Sequence, residues 1–264
     1  MNVLRRSVLS AIVVGVLGWG LSLVEAVAAE VSNTLKVTGS RWSPYVDEAR
    51  PNNGLAADLV GTALRRAGYE VDPQLETWPR AYRGVAVGIY DVLAAVWRTA
   101  QRDQDLVFSE PYLLNDIIFL CRRGKGVRFE NLEDLTGQRI GVVNEYAYGG
   151  GFDDYPRLNK VVNSALIQNI LLLQQGKVDL VVGDQWSIFY EISQFLPDAL
   201  TKFDVLERLL IRRGLRMGVS RQTPNHEKIV ADFNKAMLEM NKDGTYREIL
   251  QTHTKGIAII AQGR

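Results

Sequence analysis

The sequence predicts an α/β protein built as two lobes of similar plan, and three observations predict it. Strands and helices alternate along the chain, the pattern of a largely parallel sheet covered by helices. The expected strands at 91–96 and 178–182 are apolar on both faces, as strands lying between helix layers must be. A local unit also recurs: a helix closed by glycine, two residues, an aspartate, then an apolar strand. It is written once as Gly88, Asp91, Val92, Leu93 and again as Gly176, Asp179, Leu180, Val181, a weak internal echo.

The amino terminus reads as a processing segment. Arg5 and Arg6 precede an apolar run over 8–23, and a small-residue stretch containing Ala26, Ala28 and Ala29 comes directly after it. That is the layout of a cleaved secretory signal over 1–29. The alternative is a membrane anchor, but the run is short against the roughly 20 residues a span needs. The arginine pair lacks the residues of a twin-arginine signal, so the general secretory route to the periplasm is expected. No cysteine closes the run, so no lipoprotein anchor is expected there.

Removing that segment takes away Arg5, Arg6 and Glu25 and leaves a formally neutral chain, which argues against nucleic acid as partner. Cys121 is the single cysteine, so an internal disulfide is excluded and the apolar core must carry stability. The two histidines, His226 and His253, lie far from Cys121 and form no ligand cluster, so no metal is expected. Both sit in a helical tail and read as surface residues.

Strands are expected at 35–38, 69–71, 91–96, 116–121, 139–143, 178–182 and 215–220. The helix over 58–67 places Leu59, Val60, Ala63, Leu64 and Ala67 on one face and stops at Gly68. Further helices are expected over 80–87, 164–175, 184–195, 226–240 and 245–251, the last two divided by Lys242, Asp243 and Gly244. Residues 108–112 read as a turn, 122–126 as a basic loop and 148–151 as a glycine loop. Residues 256–260 read as a short strand or an ordered tail.

Five short motifs, in order, carry a family resemblance. Gly54, Asp58 and Leu59 are similar to a G-x-x-x-D-L pattern at the first helix. Thr99 and Arg102 resemble T-x-x-R. Phe108, Ser109, Pro111 and Tyr112 resemble F-S-x-P-Y. Residues 132–137 resemble L-E-D-L-x-G, and Asp243, Gly244, Thr245 and Tyr246 resemble D-G-T-Y. Over about 35–250 the chain thus resembles the family-3 extracellular solute-binding proteins, the amino-acid-type partners of ABC importers. The resemblance implies a two-lobed periplasmic-binding-protein-like (type II) α/β fold, two Rossmann-like lobes joined by a two-segment hinge. Crossings are expected near 113–116 and 214–218, with lobe one at 33–113 plus 218–264 and lobe two at 117–213. It implies a monomer that closes on a small carboxylate-bearing polar metabolite and hands it to a membrane permease, without cofactor and without chemistry.

The resemblance also implies a site. Arg102 pairs with the ligand's carboxylate, which a guanidinium fork matches with parallel donors. Thr99 caps a helix starting there, and free amides at that terminus add to an anion site. Asp184 holds the ligand's amino group by a charge-assisted bond, or simply caps the helix behind it. Trp42, Tyr45 and Trp78 line the cleft, or pack in the core. Arg80 adds a second anion contact or faces water. The loop carrying Tyr146, Tyr148 and Gly149 offers amide hydrogens from lobe two, its glycines permitting a nest, or is a plain surface loop.

The chain departs from the family where residues 95–98 read Ala-Val-Trp-Arg in place of Ala-Gly-x-Thr, so Trp97 or Arg98 is expected to reshape the pocket. Gly39 or Arg41 stands where the family has an acidic residue. A dicarboxylate, an opine, a modified amino acid or a short peptide fits these changes as well as a standard amino acid. Two rival functions stay open. One is a cyclohexadienyl or arogenate dehydratase-like enzyme on the same fold, with Glu145 or Asp184 as acid and Glu110 less suited. The other is a periplasmic sensor module.

Overall fold

The computed structural model describes residues 33–255. The expected signal over 1–29 and the tail element at 256–260 lie outside the described residues. The first half-sheet is formed by β1 (Thr34–Ser40), β2 (Glu70–Glu76) and β3 (Val92–Trp97). β1 runs parallel to both β2 and β3. The second is formed by β6 (Arg139–Val143), β7 (Asn159–Asn163) and β8 (Leu180–Asp184), with β6 parallel to both of its neighbours. Two ten-residue strands, β5 (Leu113–Arg122) and β10 (Ile211–Ser220), join them. β10 pairs antiparallel with β3, and β5 pairs antiparallel with β8. Short strands β4 (Leu106–Phe108) and β9 (Phe203–Val205) extend the pairing of β10 and β5.

The strand order is β2-β1-β3-β10-β5-β8-β6-β7. Read outward from its middle, each half has the same order of crossing strand, third, first and second strand. This is the two-lobed periplasmic-binding-protein-like arrangement. The crossing strands pair with each other from Leu113 opposite Leu215 to Ile117 opposite Ile211. Within that stretch Arg212 faces Asp116 in a two-pronged ion pair, with Nη2 2.8 Å from Oδ2. Gly214 packs on Pro111, whose Cβ lies 2.7 Å from where a side chain would begin.

The echo in the sequence is one device used twice. Helix α2 (Trp78–Ala86) ends at Gly88 with φ +78°, and α3 (Leu166–Gln174) ends at Gly176 with φ +75°. The amides of Ile89 and Lys177 then close on carbonyls five residues back, which uses helix-end acceptors. Asp91 next exchanges bonds with the first strand of its half: its amide donates to the Lys36 carbonyl at 3.0 Å, and its carboxylate accepts from the Lys36 amide at 2.8 Å. Asp179 does the same with Arg139, at 2.8 and 3.0 Å. Each aspartate thus sets the level at which a third strand enters its sheet. Arg139 also pairs with Asp179, whose carboxyl it holds down at about 2.

Helix α1 (Leu55–Arg66) buries Leu55, Leu59, Val60, Ala63 and Leu64 against the first half-sheet and closes at Gly68, as its spacing predicts. Its opening amides donate to the carbonyls of Pro44 and Tyr45, so the helix start and the loop after β1 are built as one piece. The second lobe has no helix between β6 and β7; residues 144–158 form a loop instead. α4 (Gln185–Phe195), α5 (His226–Asp243) and α6 (Thr245–Thr254) complete the helices.

The structure corrects several expectations. β2 continues to Glu76 past Pro73, which is tolerated because β2 lies at the sheet edge. The edge strand β7 lacks a readable apolar alternation, β9 has only three residues, and β5 and β10 run longer than expected because each serves both halves. His253 is not a surface residue. It is 0% exposed and bonds Asp58 at 2.9 Å, tying α6 to α1. Burial raises the Asp58 carboxyl, but hydrogen bonds led by His253 bring it below its ordinary value.

Asp91→Ala and Asp179→Ala are each expected to lower unfolding free energy by about 1–3 kcal/mol, the worth of a strand amide's bond to a charged acceptor. Urea denaturation followed by circular dichroism measures both.

Candidate functional site

The carboxyl ends of the parallel strands converge on one cleft, where open α/β sheets place their ligands. The loop after β1 brings Trp42 and Tyr45, β2 leads into Trp78, β3 ends at Trp97, β6 leads into Tyr146, and β8 ends at Asp184. A cavity of about 810 Å³ lies there, walled by Trp42, Trp78, Glu145, Tyr146, Ser187 and Glu191 among others. A narrow pocket of about 30 Å³ adjoins it, sharing Ser40, Trp42, Trp78, Glu145 and Tyr146 and adding Trp97 and Arg102.

Beneath the cavity lies a closed hydrogen-bond network. Tyr45 donates to Asp184 Oδ1 at 2.8 Å. Asn115, on β5 at the crossing, donates to Tyr45 Oη at 2.7 Å and to Asp184 Oδ2 at 3.0 Å. Trp97 Nε1 donates to Asn115 Oδ1 at 2.9 Å, and the Ser187 amide donates to Asp184 Oδ1 at 2.9 Å. Asp184 is the side-chain cap of α4. It is 4% exposed, and burial raises its carboxyl to about 6 despite the donors around it. The Tyr45 phenol, buried beside that carboxylate, titrates well above the usual range.

The aromatic residues form a continuous cluster. Trp42 meets Trp97 edge-on with centroids 5.0 Å apart, and Tyr146 reaches both at 6.2 Å. Tyr45 lies parallel to Trp186 at 6.4 Å. Arg102 donates to the Trp97 carbonyl at 2.8 Å, and its guanidinium lies 4.7 Å from the centre of the Trp78 ring, a cation–π contact. Burial lowers Arg102 to about 10. Arg213, on β10, donates to the carbonyls of Ala147 and Arg98 and lies 5.1 Å from the Trp97 ring centre. Burial lowers it too. Among the described residues neither arginine has a carboxylate within ion-pair distance.

The expected residues therefore divide. Arg102, Trp42, Trp78 and Tyr146 stand in the cavity walls. Thr99 accepts from the Arg102 amide at 3.2 Å, but it opens only a single 3-10 turn, Arg102–Gln104, so no long helix adds its dipole there. Tyr45 and Asp184 lie under the wall and bond each other. Tyr148 is buried, its hydroxyl accepting from the Val143 amide at 2.8 Å. The amides of Tyr148 and Gly149 do form a nest, but Asp153 fills it at 3.0 and 2.7 Å. Arg80 is exposed and paired with Glu76 at 3.0 Å, outside the cavity wall.

Sequence reasoning passed over Asn115, Arg213, Ser187 and Glu191. Asn115 stood just before the strand expected at 116–121, inside the expected crossing segment, where no pattern distinguished it. Ser187, Glu191 and Phe195 had a signal: a four-residue spacing that puts them on one face of α4.

The profile described as bacterial extracellular solute-binding proteins, family 3, matches residues 35–256. The chain is 26% identical over 60% of its length to a putative ABC transporter arginine-binding protein 2 of Escherichia coli (strain K12), and the match spans 63% of that protein. It is 24% identical to a probable histidine-binding protein of Neisseria gonorrhoeae, over 84% of each chain. Among solved structures, a histidine kinase sensor domain with similarity to periplasmic binding proteins superposes with a TM-score of 0.70 at 21% identity, over 82% of this chain and 93% of that one.

Because the folded-state carboxyl of Asp184 titrates near 6 against an ordinary 3.8, the folded protein takes up this proton first. Its contribution is full below about pH 4 and is lost as pH rises through about 6. Unfolding free energies of wild type and Asp184→Asn, compared from about pH 8 to about pH 4, should show wild type gaining on the order of 2–3 kcal/mol relative to the variant as pH falls.

Proposed function

The chain belongs to the family-3 bacterial extracellular solute-binding proteins, and on that premise we propose that it captures a small carboxylate-bearing polar metabolite, an amino acid or a derivative, in the interlobe cleft. In this reading the protein is exported to the periplasm through a signal over 1–29, acts as a monomer and delivers its ligand unchanged to the permease of an ABC importer. Lobe one is 33–113 plus 218–264, lobe two is 117–213, and closure flexes the paired stretch of β5 and β10.

The observation that carries this reading is Arg102. A desolvated guanidinium without a carboxylate partner among the described residues, set at a pocket opening on the cleft, is a group that gains from an anion. Arg213 adds a second positive charge from the crossing strand. Trp42, Trp78 and Tyr146 supply apolar walls for the body of the ligand. The names of the two curated relatives, arginine- and histidine-binding, support an amino-acid-like ligand.

A second reading has one observation in its favour, the likeness in fold to a kinase sensor domain. A sensor would use the same cleft and present the closed form to a receptor in place of a permease. The dehydratase reading loses one of its acids, since Asp184 lies beneath the cavity wall with its oxygens bonded.

The test is a thermal-shift screen of the purified protein against amino acids, opines, dicarboxylates and prephenate, since a ligand that binds the folded form raises the melting temperature. A carboxylate is expected to stabilise wild type and to be recovered unchanged. Arg102→Ala should weaken that ligand by about 30-fold or more, the effect of removing one partner of a desolvated charge pair. Consumption of prephenate would favour the enzyme reading.

A further inference from the structure

A second cavity, of about 420 Å³, lies between α1 and the first half-sheet and shares only Glu48 and Leu75 with the ligand cavity among the described residues. Its floor is apolar: Val37 from β1, Val46 from the loop after it, and Val71, Pro73 and Leu75 from β2. β2 is the last strand of the sheet, and Leu75 is 39% exposed. Sheet edges and open apolar faces of this kind are ordinarily covered. The polar side chains of the wall set no demand for a charged ligand. Glu48, Asn52 and Arg65 are exposed, and Asp58, the buried acid, is already bonded to His253.

Gly61 keeps this groove open. Glycine is a poor residue inside a helix. An added Cβ would meet only the guanidinium end of Arg65, its nearest atom 3.2 Å away. Close packing therefore does not call for the glycine, and the missing side chain leaves space along α1.

The chain itself carries a segment suited to that space. The last turn of α6 is tied down twice beside the groove. His253 bonds Asp58, in the groove wall, at 2.9 Å, and Arg50 donates to the His253 carbonyl at 2.7 Å. Residues 256–264, outside the described residues, follow directly. They include Ile257, Ala258, Ile259, Ile260 and Ala261, with no charge before Arg264. An extended chain covers about 3.3 Å per residue, so these five reach about 17 Å. The groove's length along α1, from Asp58 to Arg65, is about 10 Å at 1.5 Å per residue. The segment thus starts at the groove, is long enough to follow it, and has the apolar side chains to cover its floor.

We propose that residues 257–261 lie in the groove between α1 and β2 and cover the apolar edge of the first half-sheet. The proposal goes beyond the solute-binding reading and does not depend on the ligand of the cleft.

Disulfide trapping on the purified protein tests it. Val71→Cys and Leu75→Cys are each paired with Ile257→Cys, Ile259→Cys and Ile260→Cys, and Leu238→Cys, exposed on α5, serves as the control site. Cys121 is 2% exposed. A disulfide needs Cα atoms within about 4.4–6.8 Å, so at least one groove pair should close within the molecule about tenfold faster than any control pair. Gly61→Leu, which puts a side chain into the groove, should slow that pair about tenfold in a protein that still melts cooperatively. A chain ending at Lys255 should melt about 3 °C or more lower and exchange the amides of β2 about tenfold faster. Equal trapping at groove and control sites, or none at the groove, would overturn the proposal. Bonds formed between molecules would do so as well, by giving the groove to a second copy. So would trapping that survives Gly61→Leu, or a shortened chain with unchanged melting and unchanged exchange in β2.

Discussion

Asp184 is the point on which the two halves of the molecule meet. It ends the third strand of the second half-sheet, caps α4, accepts from Tyr45 of the first lobe and accepts from Asn115 on a crossing strand. Removing such a charge from water costs several kcal/mol, so it is tolerated only because each oxygen meets donors. Those donors fix the loop after β1, the start of α4 and the crossing strand relative to one another. Trp97 extends the constraint into β3 by donating to Asn115. The cavity above rests on this floor, and Trp42 in its wall lies three residues from Tyr45 and packs edge-on against Trp97.

The charge pattern of the cleft comes from that arrangement. Asp184 is bonded through both oxygens, while Arg102 and Arg213 bond backbone carbonyls and lie over indole rings, with no carboxylate at ion-pair distance among the described residues. Carbonyl dipoles and ring faces offset part of a guanidinium's desolvation, and the Asp153 carboxylate acts favourably on both arginines without pairing with either. The amide nest of Tyr148 and Gly149, which could otherwise meet an anion, is filled by the carboxylate of Asp153.

The repeated aspartate shows how similar lobes arise from similar local chemistry. Asp91 and Asp179 come at equal spacing after a glycine-closed helix and clamp the first strand of their sheet through the same pair of bonds. The lobes differ where α1 has no counterpart between β6 and β7. The loop there brings Tyr146 to the cleft opposite Trp42 and Trp97.

The alternating elements, the glycine stops, the buried strands and the echo of Asp91 in Asp179 were legible in the sequence, because each depends on residues near one another in the chain. That Arg102, Trp42 and Trp78 would share one cleft came from the family resemblance of their motifs, and the structure places all three in the wall of one pocket. β7 and β9, the reach of β5 and β10, and the burial of His253 against Asp58 were not legible, because each depends on a partner far along the chain. The same limit applies to the site. A sequence shows that Asp184 caps a helix; only the tertiary structure, by bringing Tyr45 from 139 residues away and Asn115 from 69, decides that both of its oxygens meet donors beneath the cavity wall.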